Sequence, residues 1–168
     1  MDNEARYLKK REKLHFGYKK QVLTDENGMQ LSVHITTANE HDSKGLKPCL
    51  ENQDEELAVS ACFTDKGYQV PANVTLLQMP IKNRKVKNRI QHKAYKNSPL
   101  TDWQKKYNRL ISTKRWVVER TFEGMQRWFG CEMALYVGLA KTYTQHLLEA
   151  IAYNLDRASG IIMYTAKK

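Results

Sequence analysis

Cysteine is scarce in this 168-residue chain, and its three copies, Cys49, Cys62 and Cys131, are odd in number and far apart. That excludes a paired zinc site and argues against a disulfide framework. The five histidines, His15, His34, His41, His92 and His146, show no close metal-ligand spacing either. No apolar run is long enough to span a bilayer, and Met1-Asp2-Asn3-Glu4-Ala5-Arg6 is not a signal peptide, so the expectation is a cytoplasmic protein with no membrane partner. Internal repeats and low-complexity segments are absent. So are helix-turn-helix and zinc-finger signatures, so no base readout is predicted. Acidic residues are in the minority: 18 Asp and Glu stand against 28 Lys and Arg, a net charge of +10. Such a surplus points to a polyanion partner, with an unliganded basic protein as the plainer alternative.

What is there suits one folded domain. With 41% hydrophobic and 27% charged residues the chain has the composition of a globular protein. Leu14, Phe16, Tyr18 and Val22, then Leu31, Val33 and Ile35, alternate with polar residues on either side of Asn27-Gly28. That predicts a β-hairpin over about 13–37. Asn39 to Ser43 forms a turn and cap cluster, with Asp42 as a cap, before a short helix over about 46–51 with Pro48 in its first turn. The run 57–64 lacks alternation and predicts a strand buried on both faces, as in a parallel pair. A short helix is expected over 71–78 and a short strand over 79–81. The basic stretch 82–96 (a loop extending to about residue 100) comes before helices over 101–110, 113–129 and 140–158. The last places Tyr143, Leu147, Leu148, Ile151 and Leu155 on one face and ends before Gly160. Strands separated by helical connections after a hairpin make a mixed α/β fold.

Two carboxylates stand out. Asp65 closes the apolar strand and precedes the turn Lys66-Gly67-Tyr68, at a strand end where α/β folds place ligands. The plainer reading is a turn aspartate bonded to nearby backbone N–H groups. Glu119 lies on the helix that Ser112 or Thr113 would cap, sharing a stripe with Arg115 one turn before, Glu123 one turn after and Gln126 beyond. The plainer reading there is an exposed ion pair. Trp116, Val117, Met125, Trp128 and Phe129 supply packing faces. Trp103, Trp116 and Trp128 could stack on bases, although core positions are the commoner role of tryptophan on a helix. Lys82, Arg84, Lys85, Lys87, Arg89 and Lys93, and the early cluster Lys9, Lys10, Arg11, Lys13, Lys19 and Lys20, are candidate phosphate contacts.

Four segments, Leu14-His15-Phe16-Gly17-Tyr18-Lys19, Ala38-Asn39-Glu40-His41-Asp42, Thr64-Asp65-Lys66-Gly67-Tyr68 and Val118-Glu119-Arg120-Thr121-Phe122, occur in one order. Their order and spacing resemble bacterial insertion-sequence transposases of the DDE type. So do Tyr136-Val137-Gly138-Leu139-Ala140-Lys141 and Ala152-Tyr153-Asn154-Leu155-Asp156-Arg157 in the closing helix. The resemblance covers nearly the whole chain. It implies an RNase H-like mixed sheet flanked by helices, with a helical C-terminal part. It also implies three acids holding two Mg²⁺ ions (Mn²⁺ as a substitute) and DNA, both transposon ends and target, as the partner. Asp65 matches the second acid and Glu119 the third, as catalytic and metal-binding residues. Arg115 matches an arginine that positions the glutamate or a DNA phosphate, and Gln126 and Arg127 fall on the DNA side of the same helix.

The chain departs from the family pattern in three places. Ser112 stands where the signature has a tyrosine, Gln126 where it often has a lysine, and no acid matches the first Asp, which the family carries on a central strand before the hairpin. The expectation is therefore a single partial catalytic domain over 1–168, lacking that first central strand, marginally stable and inactive alone. It would act as a homo-oligomer or with a full-length transposase. The alternatives are a non-catalytic DNA-binding remnant that modulates a full-length transposase and a metal-dependent nuclease without joining activity.

Overall fold

The computed structural model of the chain describes residues 2–10, 12–54, 57, 59–82 and 85–165. The fold is mixed α/β, compatible with the RNase H-like expectation, and its strands pair in two sheets. Two compact units are present: Met1–His41 with Val117–Lys168, and Asp42–Trp116.

In the first unit an antiparallel sheet runs in the order β1 (Arg6–Lys10), β2 (Lys13–Thr24), β3 (Gln30–Thr37). The expected hairpin is β2–β3, in register from Tyr18↔Thr37 to Val22↔Val33, with a bulge at Leu23/Thr24. Its turn is built by Asp25, whose Oδ1 accepts from the N–H groups of Asn27 and Met29 at 2.9 and 2.8 Å. Gly28 supplies the left-handed φ of +86°. Strand β1 was not foreseen, because Arg6, Lys9 and Lys10 mask its two apolar residues. It pairs with the first half of β2, and Tyr7 packs on Phe16 at 4.7 Å between ring centroids.

Helix α4 (Leu139–Thr165) lies on β3, where Val33, Ile35 and Ala150 form a core with Tyr18, Leu139 and Tyr143 against it. Two expectations are corrected here. The helix continues through Gly160, and its buried face is Thr142, Gln145, His146, Ala150 and Tyr153. The stripe Leu147, Leu148, Ile151 and Leu155 is exposed, Leu155 to 69%. A helix with apolar residues on two sides cannot announce from sequence which side its sheet will cover. The start of α4 is held by the beginning of the chain. Gly138 N–H donates to Asp2 at 3.0 Å and Leu139 N–H to Glu4 at 2.7 Å, so two carboxylates sit at the positive end of the helix.

The second unit contains α1 (Leu46–Glu51), β4 (Ala61–Thr64), α2 (Pro71–Gln78) and β5 (Lys87–Ile90). The parallel pairing anticipated from the unalternating run is present, from Ala61↔Lys87 to Thr64↔Ile90. The strand is shorter than 57–64, because Leu57 sits in a turn closed on the Asp54 carbonyl. The expected strand at 79–81 falls instead at 87–90, inside the stretch read as a loop. Buried Val86 and Ile90 anchor it while Lys87 faces solvent. Leu46, Cys49, Leu50, Cys62, Leu77 and Ile90 are the buried apolar residues of this unit's strands and short helices, and buried Val86 immediately precedes β5.

Helix α3 (Asp102–Phe129) replaces the two helices expected over 101–110 and 113–129. Its cap is the reciprocal pair Thr101 and Gln104, each side chain accepting from the other's backbone N–H at 3.3 and 3.0 Å. Ser112 and Thr113 are interior. The Ser112 hydroxyl accepts from Gln91 at 2.7 Å, and that of Thr113 bonds back to the Arg109 carbonyl.

Candidate functional site

Asp65 follows the last residue of β4, at the C-terminal end of the parallel pair, where Gln91 N–H donates to the Thr64 carbonyl and extends the pairing. Its Oδ1 accepts from Gly67 N–H at 2.7 Å, the turn interaction anticipated as the plainer reading. A Cβ at Gly67 would lie 2.9 Å from that oxygen, so glycine lets the turn fold back on the carboxylate. Tyr68, next in the turn, has its hydroxyl pushed far up by burial and, secondarily, by the Asp42 carboxylate and other neighbouring charges. Cys62 on β4 is a buried neutral thiol, pushed up to about 12 by desolvation.

Glu119 is exposed on α3, one turn beyond half-buried Arg115, and Glu123 and Gln126 continue the exposed stripe. Asp65 belongs to the unit 42–116, Glu119 to the other. Aspartate and glutamate are hard oxygen donors of the kind Mg²⁺ takes. Among the described residues, however, no group of three or more His, Cys, Asp or Glu could hold a metal ion. The donor chemistry fits such an ion; the donor number does not complete a site.

The basic residues divide. Lys85, Lys87 and Lys93 are exposed, and Arg89 is half-buried on β5. Lys82 turns inward, its ammonium donating to the Gln53 carbonyl. Arg84 lies outside the described residues. Gln126 is exposed, and exposed Arg127 lies over the Trp128 ring at 5.0 Å. Of the early cluster, Lys20 leaves the surface: it is on the core face of β2, 3.4 Å from Glu149. The tryptophans are not core residues. Trp103, Trp116 and Trp128 are 65%, 51% and 70% exposed. The buried residues of that helix are Ile111, Thr121 and Met125.

Two groups of residues escaped sequence reasoning. The hairpin turn is fastened to both long helices. The Thr121 hydroxyl donates to the Gly28 carbonyl at 3.1 Å, Arg157 to the Asn27 carbonyl at 3.0 Å, and Asn154 bonds the backbone of Gln30. Those residues lie in the segments 118–122 and 152–157 that carry the family likeness. The second group is a buried polar node at Glu149, which accepts from Gln145 at 2.7 Å, shares a 2.6 Å bond with His146 and pairs with Lys20. Burial raises its carboxyl, but the bonds from His146, Gln145 and Cys131 outweigh that and bring it below the usual range. The Cys131 thiol is pushed up to about 12, by burial first and by Glu149 second.

Comparison with known proteins gives one consistent answer. The family described as transposase DDE domain matches residues 2–155. The transposase for insertion sequence element IS1106 of Neisseria meningitidis serogroup B is 37% identical over 158 residues, which are 94% of this chain and 52% of that protein. The chain thus spans about half the length of that relative. No solved structure matches it.

Proposed function

We propose, on the premise that this chain belongs to the DDE transposase family, that Asp65 and Glu119 are the second and third acids of that family's catalytic set. In this reading residues 1–168 form part of one catalytic domain, and DNA is gripped by Arg84, Lys85, Lys87, Arg89, Lys93, Arg115, Gln126 and Arg127, while the Lys82 ammonium is engaged by the Gln53 carbonyl. The observation that supports it most is Asp65 at the mouth of a parallel strand pair, in a turn whose glycine permits close approach.

The metal ions of such a site supply activation of the attacking oxygen and stabilisation of the leaving one. Among the described residues no group of three or more such donors occurs, so no step is assigned to this chain acting alone. Its residues bind and orient: the exposed lysines neutralise phosphates, and Arg115 positions Glu119 or a neighbouring phosphate. The chain therefore binds transposon-end DNA without cutting it, and cleavage and strand transfer require the first acid from outside the matched set. A homo-oligomer, or assembly with a full-length transposase, is the setting in which that would occur.

The test is a salt titration of DNA binding with and without Mg²⁺, using the chain and its Asp65→Ala and Glu119→Ala variants. Binding with a log–log slope of about −4 or steeper, for roughly five neutralised phosphates, is expected in all three proteins. No product should form. Salt-insensitive binding, or none, would overturn the reading. Cleavage by the chain that Asp65→Ala abolishes would uphold the acids and refute inactivity.

A further inference from the structure

We infer that His92, Trp103 and Tyr107 form a stacking platform for an unpaired nucleotide, beside the strand end that carries Asp65. This rests on the DNA-binding reading above and adds to it the form of DNA that is held.

Trp103 and Tyr107 are one turn apart on α3, and their rings stack at 5.3 Å with only 16° between planes. His92 closes on both, at 6.0 and 5.2 Å. Trp103 stays 65% exposed, so a broad aromatic face meets water at the first turn of a helix. The rings are held in place by backbone fixtures. His92 N–H donates to the Asn108 side-chain oxygen at 2.8 Å, and the Asn108 amide donates to the His92 carbonyl at 2.9 Å. Gln91 bonds the Asn108 carbonyl and the Ser112 hydroxyl at 3.0 and 2.7 Å. Lys93 N–H donates to the side chain of Gln69, which lies in the loop leaving Asp65. His92 and the carboxylate therefore lie in the segments leaving one end of the β4–β5 pair, and Trp103 and Tyr107 meet His92 from the start of α3.

The surrounding charge chooses the ligand. Residues 91–109 include Lys93, Lys96, Lys105, Lys106 and Arg109 against one acid, Asp102, which Lys105 already pairs at 2.9 Å. Lys93 also lies over exposed Tyr95 at 5.9 Å, a second ring beside the first group. Aromatic faces set among cations are the recipe for single-stranded nucleic acid: lysines follow the phosphates while bases stack on rings. The centres of protein–protein interfaces, by contrast, are depleted of lysine. A base pair inside the stack presents no free face and a blunt end presents only one that is already paired at its edge, so the ligand that can lay a base fully on the rings is a nucleotide outside the duplex.

The test uses a duplex with a short single-stranded overhang carrying 2-aminopurine, a base whose fluorescence is quenched by stacking, and the matching blunt duplex. The expected result is quenching by the wild-type chain and about tenfold tighter binding of the overhang duplex than of the blunt one. Trp103→Ala should lose both while binding blunt DNA as before, and Trp103→Phe should restore most of each. Thermal unfolding of Trp103→Ala should match wild type, since the ring is exposed. Equal affinity for the two DNAs, or an overhang preference that survives Trp103→Ala, overturns the platform and leaves the DNA-binding reading standing. Failure to bind either DNA overturns both.

Discussion

Asn154 and Gln30, 124 residues apart, exchange a reciprocal pair of hydrogen bonds: Gln30 N–H donates to Asn154 Oδ1 and Asn154 Nδ2 to the Gln30 carbonyl, both at 2.8 Å. The side chain imitates one rung of a β-ladder and fixes the end of the hairpin to α4. Asn154→Ala should cost about 1–3 kcal/mol, because a donor and an acceptor in a buried residue lose their partners together. Asn154→Asp should cost as much, since it keeps the acceptor but sets a carboxylate against a carbonyl. Urea unfolding of both variants checks this; an Asp variant as stable as wild type would sink it.

Gly28 makes the same turn possible in another way. Its φ is +86°, and a Cβ there would lie 3.0 Å from the Thr121 hydroxyl oxygen and 3.5 Å from an Arg120 nitrogen. Gly28→Ala should destabilise by more than about 1 kcal/mol, from strain and crowding acting together. Thr121→Ala alone loses the bond to the Gly28 carbonyl, so the crowding share is the coupling in a double-mutant cycle: thermal melts of both single variants and the double should show Gly28→Ala costing less on the Thr121→Ala background.

The hairpin and its turn were readable beforehand because alternation and Asn-Gly are local. So were α1, α2 and the parallel character of β4. The joining of α3 was not, since Ser112 and Thr113 look like caps until Gln91 and the Arg109 carbonyl are seen to occupy their hydroxyls. Nor was the buried face of α4: Ala150 and Thr142 are weaker apolar markers than Leu148 and Leu155, yet both are buried, and Ala150 is what fits against Val33 and Ile35. Asp65 was legible as a strand-end carboxylate. The aromatic stack was half legible, because Trp103 and Tyr107 share helical spacing but His92 reaches them only through the Asn108 clip.

The Glu149 node yields an asymmetric pair of substitutions. Glu149→Ala should cost about 3 kcal/mol, because it strands the Lys20 ammonium among poorly hydrated neighbours. Lys20→Met should cost less, as Glu149 keeps His146 and Gln145 and methionine fills the stem's space. Chemical denaturation that ranked Lys20→Met as the more damaging change would contradict this.

Asp2 and Tyr18 set opposite limbs of the stability profile. The Asp2 carboxyl is held at about 2, against 3.8, chiefly by Gly138 N–H and then by the Tyr18 hydroxyl at 2.7 Å. A depressed acid stabilises fully above its ordinary value, so that contribution should fade as pH drops from 3.8 toward about 2. Tyr18 is pushed up to about 12, by burial first and by Asp2 second. Its contribution is whole below 10 and should be lost as pH rises through about 12. In Asp2→Asn the acid limb should flatten while most of the alkaline limb stays. Melting temperature against pH would show it, and an unchanged acid limb would refute it.

The carboxylates of Asp2 and Glu4 await the N–H groups of Gly138 and Leu139, and that gives the chain a timetable. On a ribosome the β2–β3 hairpin emerges before α4, so the helix that covers its apolar face is still unmade. At about 5–20 residues per second, the roughly hundred residues between them take about 5–20 seconds to appear. For that interval Val33 and Ile35 have no α4 to lie against, while the 42–116 segment is made and can settle first. The nascent sheet thus keeps part of its apolar face open until α4 is made, and slower translation would lengthen that exposure.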